Sequence, residues 1–300
     1  MLRITLILFL LPSLYLTTAA QTPGSSSIAK ERSEATTKVS DDSDDESLIE
    51  RVKNTDLPGT LKLLVNGASP DSTDDNGGLA LCWAIRVNNP DIVKALLASG
   101  AKVNKEETDG GTPLQVAAAS GHADLIKLLL AHGADVNHKD RGGHTALIWA
   151  TFGATFKSAP DWLKKALLQT EEDEETFKLV GSEHVLVAQL LLSSGADVNA
   201  QAEDCGLTPL MVAAMSGDIE LAKVLLVHRA DVNVKGGEWS ALKFAEDFGS
   251  AESIQKELAD FHDDDAKQAV LNWLHFTASG REEVAKLLRQ AGARKDQSRN

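Results

Sequence analysis

The chain has 300 residues, 43% of them apolar and only 5% aromatic, with 44 acidic against 30 basic side chains and a formal charge of -14. That length and composition support one extended folded domain with a conventional core, and so few aromatics suit helix-on-helix packing. The negative balance, with no basic stripe, argues against nucleic acid and anionic lipid surfaces as partners, because no clustered cations are present to release counterions.

In chain order, Arg3, an apolar run from Ile4 to Leu16 and the small-residue exit Thr18-Ala19-Ala20 form the pattern of a cleaved signal peptide over residues 1–20. A helix from Leu2 to Leu16 would span only about 22 Å, short of the roughly 30 Å hydrocarbon core. An uncleaved N-terminal membrane anchor is the alternative. No later segment is apolar enough to cross a bilayer, so the expected location is secreted, periplasmic or ER-lumenal, with no membrane association after cleavage. No Asn-x-Ser/Thr acceptor occurs, so no N-glycan is expected. Residues 21–44 are Ser, Thr, Lys, Glu and Asp with almost nothing apolar, an acidic linker expected to be disordered.

Folding begins near Asp45. Ser47–Lys53 and Pro58–Val65 read as two short helices closed by Asn66-Gly67-Ala68, an N-terminal cap. Beyond it a phrase recurs every 33 residues, placing Gly77, Gly110 and Gly143 at hairpin tips, with Gly206 in the same role further on. Such tips need a residue tolerant of positive φ; the sixth unit departs from the pattern with Glu238. Thr112-Pro113 and Thr208-Pro209 open helices, since the hydroxyl caps an orphan N–H and proline at the first helical position loses a donor that had no partner. Gly100, Gly133 and Gly195 stop the second helix of each pair in a left-handed conformation. Arg229 takes that slot once, at a strain of order 1 kcal/mol. The leucine pairs Leu96-Leu97, Leu128-Leu129 and Leu225-Leu226 supply about 1.5–3 kcal/mol per buried side chain.

Two repeats are opened between their helices by inserts, about 154–182 and 249–279, both with helical spacing. A competing parse makes Ala251–Ala259 and Ala266–Thr277 the helices of further degenerate repeats. Gly280 to Ala293 reads as a closing helix and 294–300 as a disordered tail. Cys82 and Cys205 fall three repeats apart, some 25–30 Å at about 8–10 Å per helix, too far for a disulfide.

The Gly110-Gly111-Thr112-Pro113-Leu114 start, Ala117-Ala118, Gly121-His122 and the Gly133-Ala134-Asp135-Val136-Asn137 stop resemble the ankyrin repeat. The resemblance covers about 45–293 and implies an all-α solenoid of stacked helix pairs joined by β-hairpin turns, with the two inserts. It also implies a concave palm that takes a protein partner. Mapping that pattern puts Arg86, Ala119, Phe152, Met215 and Asp247 in one exposed column and Gly78, Gly111, His144, Leu207 and Trp239 in the finger column. Arg141, His144, Phe152, Leu207, Met215 and Trp239 then form the expected protein-binding patch, because interface hot spots use aromatic, methionine and arginine side chains.

Trp83 and Trp149 fall on the inward face of the first helices and are expected in the core; Trp162 and Trp273 are expected to anchor the inserts. His122, His132, His138 and His144 invite a metal reading, but His122 occupies a structural slot of the resembled family, where its ring bonds neighbouring backbone. No metal or cofactor is expected. Asp71–Gly78 imitates a calcium loop and fails it, with Trp83 where a bidentate Glu is required. No Gly-x-Ser-x-Gly elbow or phosphate loop occurs. The expectation is therefore a non-enzymatic, monomeric protein-binding scaffold. Its alternatives are a stabilising or chaperone-like subunit of an extracytoplasmic enzyme, and a ligand or catalytic pocket built by the inserts.

Overall fold

The structure, a computed structural model, describes residues 47–158, 183–248 and 264–294. The expected signal peptide and linker, the body of the first insert, the start of the second and nearly all of the tail lie outside the described residues. Among the described residues six helical pairs follow one another. They are α1 (Leu48–Lys53) with α2 (Leu57–Val65), α3 (Ala80–Arg86) with α4 (Pro90–Ala98), and α5 (Pro113–Ser120) with α6 (Ala123–Ala131). After these come α7 (Ala146–Ser158) with α8 (His184–Ser193), α9 (Pro209–Ser216) with α10 (Ile219–Val227), and α11 (Ala241–Asp247) with α12 (Asp264–Gln290).

Helix starts follow the capping chemistry read from sequence. Thr208 Oγ1 accepts the Met211 N–H at 3.3 Å and Ser240 Oγ that of Lys243 at 3.2 Å. At Thr112 the partner is Gln115, whose Oε1 accepts the Thr112 N–H at 2.7 Å. The Gln115 amide also donates to the carbonyls of His138 at 3.1 Å and His144 at 2.8 Å, which ties this helix to the next hairpin.

First helices stack in one row, α3, α5, α7, α9, α11, and second helices in another, α2, α4, then α6, α8, α10, α12. The core between the rows is alanine and leucine: Ala117, Ala118, Ala213 and Ala214 are fully buried, as are Leu96, Leu129, Leu191 and Leu225. A one-methyl side chain lets helices approach closely, and the leucines fill the space behind. Hairpin tips at Gly77, Gly110, Gly143 and Gly206 have φ of 83°, 83°, 77° and 71°, as the spacing predicts. In the sixth unit the role passes to Gly237 (φ 63°), in a hairpin of β1 (Lys235–Gly236) and β2 (Trp239–Ser240), so Glu238 needs no unusual backbone.

A second, polar ladder runs along the stack. Asp71 Oδ1 accepts the Lys102 N–H at 2.9 Å; Asn104 does the same for Asp135 at 2.9 Å, Asn137 for Asp197 at 2.8 Å, Asn199 for Asp231 at 2.8 Å and Asn233 for Arg294 at 3.2 Å. The step from Asn137 to Asp197 crosses the first insert, and that from Asn233 to Arg294 crosses the second. The ladder thus bridges both inserts; Ala266–Thr277 of the competing parse belongs to the same continuous helix as the closing segment, whereas Ala251–Ala259 lies outside the described residues.

Two insert boundaries differ from expectation. α7 continues through the expected start at 154 to Ser158, and α12 runs unbroken through Gly280, joining the end of the second insert to the closing helix. Gly280 is a contact point there: a Cβ on it would overlap the Gly217 carbonyl oxygen, so the bare glycine lets α12 lie against the end of α9.

Candidate functional site

The hairpins place an acidic side chain at one register, Asp74, Glu107 and Asp140, and its partners depend on the helix that follows. Asp74 accepts the N–H groups of Asn76 (3.0 Å) and Gly78 (2.8 Å) and the indole N–H of Trp83 (2.7 Å). Asp140 repeats this with Gly142 (2.9 Å), His144 (2.9 Å) and Trp149 (2.8 Å), and adds the His144 ring through Nδ1 at 3.1 Å. Burial alone would raise the Asp140 carboxyl, but the His144 ring, its N–H and the Trp149 indole outweigh burial and hold it below the usual carboxylate range. In the repeat between them Val116 replaces the tryptophan. Glu107 turns instead to the preceding repeat, taking the Leu79 N–H at 3.0 Å and both ends of the Arg86 guanidinium at 3.0 and 2.6 Å. Trp83 and Trp149 are consequently half-buried, packed against the core as expected but with the indole N–H turned to a hairpin carboxylate, an acceptor that an alanine–leucine core lacks.

The expected binding patch is largely covered. Phe152, Met215, Leu207 and His144 retain 3%, 0%, 4% and 7% of their exposure. Phe152 packs edge-on to His144 with ring centroids 6.1 Å apart and lies 6.1 Å from Trp149, on a first helix longer than its neighbours. Met215 sits at the end of α9 where α12 crosses. Leu207 closes its hairpin by accepting the Ala202 N–H on its carbonyl at 3.0 Å, with its side chain in the core. Arg86, also placed in the exposed column, is half-buried on Glu107. Of the six residues, Arg141 is exposed and Trp239 half-buried, stacked on Phe244 at 4.7 Å with the Lys243 ammonium 5.1 Å from its ring. A column at regular spacing was readable; the His144 and Trp149 rings packed on Phe152 and the helix α12 packed against α9 near Met215 were not.

What the hairpins do expose is carboxylate: Asp75, Glu106, Asp109, Glu203, Asp204 and Glu238, against Lys139, Arg141 and Lys235. Lys139 already pairs with Glu203 at 3.1 Å. The free field of the finger row is acidic.

One convergence was missed by reading histidines as a group of their own kind. Asp204 and Cys205, in the hairpin before α9, lie against His144 in the hairpin before α7; the Glu203 and Asp204 N–H groups are held on the Gly142 carbonyl at 2.8 and 3.2 Å. His144 Nε2 stands 3.6 Å from Asp204 Oδ1, and the His144, Asp204 and Cys205 ligand atoms lie within 4.8 Å of one another. Burial pushes the Cys205 thiol up to about 12, while the N–H groups of Leu207 and of Cys205 itself act the other way. Cys82 is buried in α3, and both cysteines are free. The 59 and 60 positions separating His144 from Asp204 and Cys205 carry no local motif, so only the stacking reveals the group. His122 is buried, and its Nε2 has no hydrogen-bond partner among the described residues, contrary to the expected bond to neighbouring backbone.

Stacked helical hairpins, glycine-tipped fingers and an asparagine ladder define a helical repeat solenoid. Comparison with family models finds ankyrin repeats (three copies) over residues 48–140 and 88–159, and ankyrin repeats (many copies) over residues 177–226. The chain belongs to the ankyrin repeat family. Ankyrin repeats are generally protein–protein interaction modules, and proteins of the family are typically non-enzymatic binding scaffolds.

Proposed function

We propose that this protein is a non-enzymatic scaffold that holds a basic protein partner on its acidic finger row and concave face. The observation that carries the reading is the set of exposed hairpin carboxylates around Arg141, with Trp239 the one large ring of the expected patch still reachable. Opposite charge speeds encounter and disfavours wrong partners. Affinity capture with wild type and with a Asp109→Lys, Glu203→Lys, Glu238→Lys variant tests it. Recovery of the partner falls with the variant and with rising salt; recovery unchanged by both removes the finger row as the site.

We further infer that the scaffold works after export, as a monomer with no membrane or nucleic-acid contact of its own. Supporting this are the apolar run Ile4–Leu16 with its small-residue exit and the overall negative charge. Mass spectrometry of the mature N-terminus decides it: a start at Gln21 is expected, and an intact Met1 overturns the cleaved-export reading.

A further inference from the structure

We propose that His144, Asp204 and Cys205 form a Zn2+ site that staples two adjacent finger hairpins together. Asp140 accepts the Nδ1–H of His144 and is itself held by the Trp149 indole, which leaves Nε2 as the lone-pair nitrogen. This is the carboxylate–histidine arrangement that orients an imidazole toward a metal. That lone pair faces the Asp204 carboxylate at 3.6 Å, an approach that calls for a cation between them. A proton on Nε2 would account for the histidine–aspartate contact alone. The Cys205 thiol can likewise donate to the Asp204 carboxylate, but the convergence of one nitrogen, one oxygen and one sulfur within 4.8 Å, behind a carboxylate-oriented imidazole, is also the donor set of zinc.

Metal binding would displace the Cys205 thiol proton to solvent past Asp204, whose side chain is 42% exposed. Gly142 gives the ligands room, since a Cβ there would come within 2.6 Å of the His144 ring and 3.0 Å of Asp204 Oδ2. Tetrahedral zinc places its ligand atoms roughly 3.3–3.7 Å apart; His144 Nε2 and Asp204 Oδ1 already stand at 3.6 Å, so the remaining closure falls to the Cys205 side chain. Three protein ligands leave a fourth position facing solvent.

The experiment is titration of the EDTA-treated, desalted full chain with Co2+, whose thiolate charge-transfer absorption distinguishes this site from surface carboxylates. One equivalent is expected to produce the band and Zn2+ to abolish it. Cys205→Ser should eliminate the band, Cys82→Ser should leave it, and Asp204→Asn should weaken binding. Asp140→Asn is expected to weaken binding by about 10–100-fold without removing a ligand. Far-UV circular dichroism checks that each variant is folded, and the exposed Asp204 supplies a mild substitution. Absence of the band in wild type, or its survival in Cys205→Ser, overturns the proposal.

Discussion

His122 stands in the turn between α5 and α6 with its ring shut away from water, and burial lowers its pKa to about 4. An unfolded histidine titrates near 6.5. Because the folded value is the lower one, the stability it contributes is present above about pH 6.5 and is lost as pH falls through about 4, up to roughly 3 kcal/mol. Urea denaturation across this window should show that loss in wild type and a flatter profile in His122→Gln; parallel profiles would show that His122 does not carry it. Other single positions differ in how readable they were. Arg229 was placed in a left-handed slot by its register and has φ 66° there. Thr55 (φ 54°) and Asn88 (φ 50°) sit in the turns that Gly121 and Gly217 occupy elsewhere; asparagine is among the types that take a positive φ, whereas a β-branched threonine gives no sign of it.

Among the elements, α12 shows a glycine with a packing role. The sequence reads as a closing helix from Gly280 to Ala293, whereas the helix begins at Asp264 and passes through Gly280. In the fold its role is tertiary: the helix continues, and the missing side chain admits the Gly217 backbone. Gly280→Ala is therefore expected to destabilise by about 1–3 kcal/mol through overpacking, although alanine favours a helix interior by about 1 kcal/mol. Chemical denaturation measures the sign, and a stabilised variant would show that the close approach has no energetic weight. Arg289 adds an ion pair from α12 to Glu246, at the end of α11. The cap helices and the Thr-Pro starts lie where composition put them, because capping is a local interaction between residues a few positions apart.

At the scale of the whole molecule, the architecture was legible because each unit repeats one solution to burying an apolar face, and a fixed period reports that solution without any knowledge of contacts. The candidate surface was legible only as a column of positions. Whether Phe152 or Met215 in that column meets water depends on the rings packed on the one and on where α12 lies against α9 for the other, and no spacing rule encodes this. The grouping of His144 with Asp204 and Cys205 likewise depends on which hairpins become neighbours.

The asparagine ladder passes straight from Asn137 to Asp197 and from Asn233 to Arg294, whatever lies between. The turn inside a helical pair is thus a port: chain spliced in there leaves both rows of the stack bonded as before. A graft of foreign sequence after the end of α7 or before the start of α12 would ride on the array as a passenger.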